Sequence, residues 1–112
     1  MVSDPAKAWH MLMEGDATPE QLEEFGARVG DESYMGFWDM LILNRPKKPK
    51  APPPVLVVAA ELDQLFSVAS QQATAQRFDA ECLVVKDAPH NLMLSSQWQE
   101  VAYNFQSWID AL

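Results

Sequence analysis

The sequence predicts a small α/β protein, because two short apolar runs are separated by helix-compatible sequence. Residues 55–59 form a continuous apolar run rich in β-branched side chains, and residues 83–85 form a second, shorter run. Such runs are typical of strands that are buried on both faces. The segment between them has room for about three helical turns. The unit is therefore predicted to be β-α-β, with adjacent parallel strands at about 54–60 and 81–86.

Composition limits the class of protein and its partners. The 112 residues suit one small domain, and the formal net charge of −8 disfavours nucleic acid and anionic membranes as partners. The single cysteine, Cys82, cannot form an internal disulfide, which fits a reducing compartment. No secretory signal is visible at the start, and no apolar run approaches the ~20 residues of a membrane helix. We therefore expect a soluble, cytoplasmic protein without a membrane span.

Three short helices are predicted in residues 1–43. The first occupies about 4–13, and the second begins at Thr18 with Pro19 in its first turn and Gln21 completing a capping box. The third begins near Asp31. Its apolar residues recur at i, i+3, i+4 and i+7, which predicts one buried stripe: Tyr34, Phe37, Trp38 and Leu41.

Residues 44–54 are predicted to be a stiff linker, since five of them are prolines. A domain boundary and a ligand for a proline-binding domain are the alternatives, and a rigid entry into the first strand is the simpler interpretation.

Residues 55–112 are predicted to form a β-α-β-α unit within one compact domain. Ser67 can cap a helix that runs to about Phe78, with one side formed by Val68, Ala69, Ala73 and Phe78. Ser95 or Ser96 can cap the last helix, which is clearly amphipathic. Its apolar side is predicted to contain Trp98, Val101, Ala102, Phe105, Trp108, Ile109 and Leu112.

An acid follows the first predicted strand and a histidine follows the second. Asp63 and His90 should therefore emerge at the carboxyl edge of the sheet, where open parallel sheets bind ligands. A buried carboxylate can fix the tautomer of an imidazole and stabilise its charged form, as in a hydrolytic triad. The serine of such a triad commonly lies in G-x-S-x-G. That motif is absent, because none of the four glycines flanks a serine in this way.

The same residues resemble the C-terminal portion of an α/β-hydrolase of the esterase/lipase type. The stretch P-V-L-V-V-A-A-E-L-D-Q-L-F resembles the penultimate strand and acid loop of that family. The stretch D-A-P-H-N-L-M-L-S-S-Q-W-Q-E-V-A-Y-N-F-Q-S-W-I resembles its histidine loop and terminal helix. Upstream, E-S-Y-M-G-F-W-D-M-L resembles part of a helical cap. The resemblance implies a truncated α/β-hydrolase-like fold, with Asp63 as the triad acid and His90 as the triad histidine.

The resemblance also has departures. The serine elbow and the oxyanion-hole loop have no counterpart, Pro89 replaces a usual glycine, and Ala60 or Ala59 replaces another. Neither replacement removes a reacting group, but each can shift a loop.

The function expected from this combination is weak hydrolysis of a small apolar carboxylic ester. Asp63 and His90 are the expected catalytic residues, and no cofactor or metal is expected. Contacts with the substrate are expected from Phe66, Leu92, Met93 and Trp38.

The nucleophile stays open. It could be water activated by His90 or a residue of another chain. Ser67, Ser95 and Ser96 are nearby in sequence but fit helix caps better. Cys82 is intrinsically more nucleophilic but should lie at the opposite end of its strand. A metal site formed by Glu61, Asp63 and His90 matches no recognised spacing.

Two alternatives to catalysis remain. The chain could be a non-catalytic, oligomeric binding module, or a self-associating fragment of an α/β-hydrolase. In each case we expect a homodimer or a higher homo-oligomer, because a two-stranded sheet is marginal and an open apolar strand edge invites pairing.

Overall fold

The computed structural model of the protein describes residues 4–28, 30, 33–43, 47 and 49–112. This part of the chain is mixed α/β, with five α-helices and a two-stranded sheet. In chain order the elements are α1 (Pro5–Leu12), α2 (Pro19–Arg28), α3 (Tyr34–Trp38), β1 (Leu56–Ala60), α4 (Val68–Phe78), β2 (Glu81–Val85) and α5 (Trp98–Asp110). A π-helical turn, Asp39–Leu43, continues α3, and a 3-10 turn, Leu92–Leu94, precedes α5.

The two strands are parallel and directly paired, which confirms the prediction. Leu56 lies opposite Glu81, and Ala60 lies opposite Val85. The first strand begins at Leu56 rather than near Pro54, because Leu56 pairs with Glu81, the first residue of β2.

Helices contribute buried residues to both faces of this narrow sheet. Successive side chains of a strand point to opposite faces. On one face Ala60 and Val85 form a buried cluster with Ala88 and with Val101 of α5. The alternation puts Ala59 on the other face, where it is fully buried, and α4 packs on both strands. The core is small because most of its side chains are alanine or valine.

Local capping follows the sequence in two of three cases. The Thr18 amide donates to Oε1 of Gln21 over 2.9 Å, and the Gln21 amide donates to the Thr18 hydroxyl over 3.3 Å, so the capping box is confirmed. Ser67 accepts from the Ser70 amide at the start of α4. The cap prediction for α5 is wrong, since Gln97 occupies the cap position without a side-chain bond.

The predicted apolar stripes are only partly buried. In α4 the buried residue is Ala75, whereas Ala69 and Ala73 are exposed. In α5 Val101 is buried and Trp108 half-buried. Four others of the predicted stripe, three in α5 and one just beyond its end, are at least 42% exposed: Trp98, Phe105, Ile109 and Leu112. The predictions overestimated how many of these side chains are buried, because a sheet of two strands is too narrow to cover a whole helix face.

The third helix also differs from its prediction. It begins at Tyr34 with Ser33 as its cap, and Asp31 lies outside the described residues. Trp38 and Leu41 are 37% and 45% exposed, so their part of the stripe is not buried. The side chains of Tyr34 and Phe37 lie outside the described ones.

The first two helices pack on each other. The rings of Trp9 and Phe25 meet edge to face, with centroids 5.5 Å apart. Gly26 allows a close approach, since a Cβ at that position would lie 3.0 Å from Pro5.

The end of α1 also reaches the strand unit. The Asn91 amide donates to the Leu12 carbonyl over 2.9 Å, and the Gln64 side chain donates to the His10 carbonyl over 3.2 Å. The predicted linker lies partly outside the described residues, at 44–46 and 48. No helix within the described ranges is both long and apolar enough to cross a membrane.

Candidate active site

The two loops that leave the sheet are bonded to each other beyond the ends of the strands. The Glu61 amide donates to the Val85 carbonyl over 3.0 Å, and the Leu62 amide donates to the Ala88 carbonyl over 2.9 Å. The Glu61 carboxylate also accepts from the Asp87 amide over 3.0 Å. The last residues of the two strands, Ala60 and Val85, are paired with each other. The bonds between the loops therefore bring the residues after Ala60 close to those after Val85.

Asp63 and His90 meet at this edge. The Nδ1 atom of His90 lies 2.9 Å from Oδ2 of Asp63. The Asp63 side chain is 5% exposed and that of His90 is 29% exposed, so the carboxylate is enclosed while part of the imidazole faces solvent. The structure thus brings together the two residues that the strand-end argument selected, although their catalytic role stays a prediction.

The second carboxylate oxygen of Asp63 is held by its own loop. Oδ1 accepts from the Leu65 amide over 2.7 Å and from the Phe66 amide over 3.0 Å. Burial alone would raise the pKa of Asp63, but the hydrogen bonds from His90, Phe66 and Leu65 together outweigh it and lower this pKa. Asp63 is therefore an ionised hydrogen-bond acceptor at neutral pH.

This charge state fixes the tautomer of the histidine. An ionised carboxylate can only accept, so Nδ1 of His90 carries a proton and donates it to Asp63. In the neutral imidazole Nε2 is then left with its lone pair. The Phe66 ring lies near the imidazole, with ring centroids 5.9 Å apart and planes tilted by 42°. The arrangement can accept a proton at Nε2 while Asp63 stabilises the resulting imidazolium.

Within the described residues, the hydroxyls considered as nucleophiles make structural contacts. Ser67 caps α4, and the buried Ser95 donates to the Leu92 carbonyl over 2.8 Å. The Ser96 hydroxyl lies 2.9 Å and 3.1 Å from the two carboxylate oxygens of Glu14. Cys82 is half-buried near the start of β2, three residues before its end. Each of these three hydroxyls is therefore engaged in a contact within its own loop or helix cap, or with Glu14.

The four residues predicted to contact substrate lie in different surroundings. Phe66 and Met93 are 54% and 69% exposed, on the acid and histidine loops respectively. Leu92 is half-buried and packs against the core cluster, so much of its side chain is not accessible to a substrate. Trp38 lies on α3, which makes no extended packing with the strand unit in the part of the chain described.

A cleft of about 250 Å³ runs along the seam between the end of α1 and the two loops. Its walls include Glu14 on one side and Leu62, Gln64 and Pro89 on the other, but neither Asp63 nor His90 lines it. Among the described residues, no group of three histidine, cysteine, aspartate or glutamate side chains is arranged to hold a metal ion.

Sequence reasoning missed the contacts made by the end of α1. Glu14 and Ser96 are 82 positions apart. Neither residue type carries a local signal for such a contact, and only knowledge of their proximity would have identified it.

Comparison with known proteins adds no assignment: no protein family, curated protein or solved structure matches this chain.

Proposed function

We propose that this protein hydrolyses small apolar carboxylic esters slowly, with His90 as the general base and Asp63 as the residue that orients it. The observation that supports this most is the 2.9 Å contact between Nδ1 of His90 and Oδ2 of Asp63. The contact occurs at the carboxyl edge of two parallel strands, the place where such sheets bind ligands. The proposal includes the fold that the resemblance implies, a truncated α/β-hydrolase.

The proposed reaction uses water as the nucleophile. Nε2 of His90 removes a proton from water as the water oxygen forms a bond to the ester carbonyl carbon. The tetrahedral intermediate then collapses, the bond to the leaving oxygen breaks, and the imidazolium returns its proton to that oxygen. The products are a carboxylic acid and an alcohol. Asp63 stays ionised and stabilises the imidazolium.

The expected turnover is slow. In triad enzymes that have lost a triad member, the residual acceleration is roughly 10³–10⁴ over water and depends on the oxyanion hole. The family's oxyanion-hole loop has no counterpart in this sequence, so less acceleration is expected here. Activated esters with good leaving groups are therefore the substrates to test. The exposed Phe66 and Met93 on the two loops favour an apolar acyl group.

The test is the rate of p-nitrophenyl acetate hydrolysis by the pure protein and by two histidine variants. The sequence has two histidines, His10 and His90, so His10→Ala is a matched control for catalysis by any imidazole on the surface. We expect His90→Ala to lose the activity and His10→Ala to retain it, with both variants folded by circular dichroism. Equal rates in the two variants would refute the proposed role of His90.

A second candidate function is a non-catalytic binding module. The loops around the pair expose five large apolar side chains, each at least 42% exposed: Leu62, Leu65, Phe66, Met93 and Leu94. Clusters of this kind are typical of interaction surfaces. A folded wild-type protein without ester hydrolysis would favour this function over catalysis.

A further inference from the structure

The loop that begins at His90 is a short, internally bonded unit. The His90 carbonyl accepts from the Leu92 amide over 3.0 Å, and the Asn91 carbonyl accepts from the Leu94 amide over 3.0 Å. The buried Ser95 hydroxyl then donates to the Leu92 carbonyl over 2.8 Å. These bonds connect His90 to the residues that follow it, so the segment 90–95 is held together by its own hydrogen bonds.

The end of α1 holds this unit at both ends. At Asn91, next to His90, the amide donates to the Leu12 carbonyl over 2.9 Å, and the side-chain amide donates to Sδ of Met13 over 3.4 Å. At the far end, the Ser96 amide donates to Oε2 of Glu14 over 3.0 Å, in addition to the hydroxyl contact. We call these contacts of Leu12, Met13 and Glu14 with Asn91 and Ser96 the α1 tether.

We propose that the α1 tether positions His90 against Asp63, with Glu14 as its positioning residue. On the strand side, His90 is anchored by Ala88, which is fully buried. On the other side, the tether is the connection to α1 that holds the loop in place. His90 is 29% exposed, so its own packing does not enclose it. This inference rests on the proposed function for its catalytic consequence, but not for its structural one.

The chemistry of Glu14 suits this role. Hydrogen bonds from Ser96 lower the pKa of Glu14, the bond from its amide more than the bond from its hydroxyl. Burial opposes this shift but has the smallest effect of the three. The carboxylate is therefore ionised at neutral pH, and bonds to an ionised acceptor are stronger than neutral ones.

Three variants test the tether. Glu14→Ala removes the carboxylate, and Glu14→Gln keeps one acceptor oxygen but removes the charge. Ser96→Ala removes the hydroxyl contacts with Glu14 and with Oε1 of Gln97, and keeps the Ser96 amide. Glu23→Ala is the matched control, because Glu23 is an exposed glutamate on α2 outside the tether. The main measurement is the exchange with water of the Nδ1 proton of His90, followed by NMR, since it reports the contact with Asp63 directly.

We expect Glu14→Ala to speed the exchange of this proton about two- to tenfold, because the bond to Asp63 opens more often. Ester hydrolysis should fall roughly tenfold in kcat with little change in KM, since misplacement of a base by 1 Å can cost about 10²-fold in rate. Glu14→Gln and Ser96→Ala should give smaller effects in the same direction, and Glu23→Ala should match the wild type.

The structural and catalytic claims fail separately. Unchanged proton exchange in the folded Glu14→Gln and Ser96→Ala proteins would overturn the positioning role, whatever the activity. If the variants exchange the proton faster but the wild-type protein hydrolyses no ester, the positioning role stands and the proposed function is refuted. If Glu14→Ala does not fold, the two milder variants decide the question.

Discussion

At the scale of single residues, Asp63 has two roles that can be separated by substitution. One oxygen orients His90, and the other accepts from the amides of Leu65 and Phe66 and so shapes the acid loop. An asparagine keeps an oxygen for those amides but turns an NH₂ group toward Nδ1 of His90. That donor would force the ring proton onto Nε2 and remove the base.

We therefore expect Asp63→Asn to remain folded and to lose ester hydrolysis to the level of His90→Ala. Asp63→Ala should in addition lower the free energy of unfolding by about 0.5–1.5 kcal/mol, because the amides of Leu65 and Phe66 lose their acceptor. Urea unfolding and the p-nitrophenyl acetate rate measure the two effects. Full activity in Asp63→Asn would show that the tautomer of His90 is not set by this contact.

The lowered pKa of Asp63 predicts a dependence of stability on pH. The folded state binds the proton less readily than the unfolded state, in which the carboxyl has a pKa of about 3.9. The stabilisation is thus fully present above that value and is lost as pH falls through the lower folded-state pKa. The difference in unfolding free energy between wild type and Asp63→Asn should therefore narrow as the pH falls below about 5. A difference that widens as the pH falls would contradict a lowered pKa of Asp63 in the folded state.

At the scale of elements, α5 shows how a narrow sheet divides one helix into covered and uncovered parts. Val101 is 6% exposed and belongs to the core cluster, whereas Phe105, one turn later, is 42% exposed. The larger side chain is therefore the less important one for the stability of the isolated chain.

We expect Val101→Ala to lower the free energy of unfolding by about 1–3 kcal/mol, because it leaves a cavity in a small core. Phe105→Ala should cost less, although it removes more atoms. Chemical denaturation of the two variants under the same conditions gives the comparison. A larger loss in Phe105→Ala would indicate that Phe105 is covered in solution, for example by a second chain.

The sequence predicted the strands, their parallel pairing and the Thr18–Gln21 capping box, because these features depend on local patterns. The placement of Asp63 and His90 at one edge followed from the same strands, because the carboxyl ends of adjacent parallel strands lie at the same edge of a sheet. Burial of the helix stripes was not predictable from periodicity, which shows that a face is apolar but not whether a surface covers it. The tether from Glu14 to Ser96 was also beyond local patterns, because its ends are distant in sequence.

At the scale of the whole molecule, the apolar surface exceeds what two strands can bury. The outer edge of β1 pairs with no other strand among the described residues. Large apolar side chains are exposed on α3, on its π-helical continuation and on α5, with Met35, Met40 and Ile42 each at least 61% exposed. Open edges and exposed apolar groups of this kind favour association.

We therefore expect the protein to sediment at micromolar concentration as a dimer or larger oligomer rather than as the 12.6 kDa chain. Pairing through β1 of two copies in antiparallel orientation would place the two Asp63–His90 pairs at opposite ends of the joined sheet, so each pair would act alone. A clean 12.6 kDa species with a cooperative melt would show that the single chain is stable with these edges open.

The most direct test of the central claim is the specific activity toward p-nitrophenyl acetate through successive purification steps, for wild type and His90→Ala prepared identically. The account predicts a low but constant activity per milligram that co-elutes with the wild-type protein and is absent from the folded His90→Ala protein. An activity that declines with each step, or that is equal in the two proteins, would contradict hydrolysis by the Asp63–His90 pair.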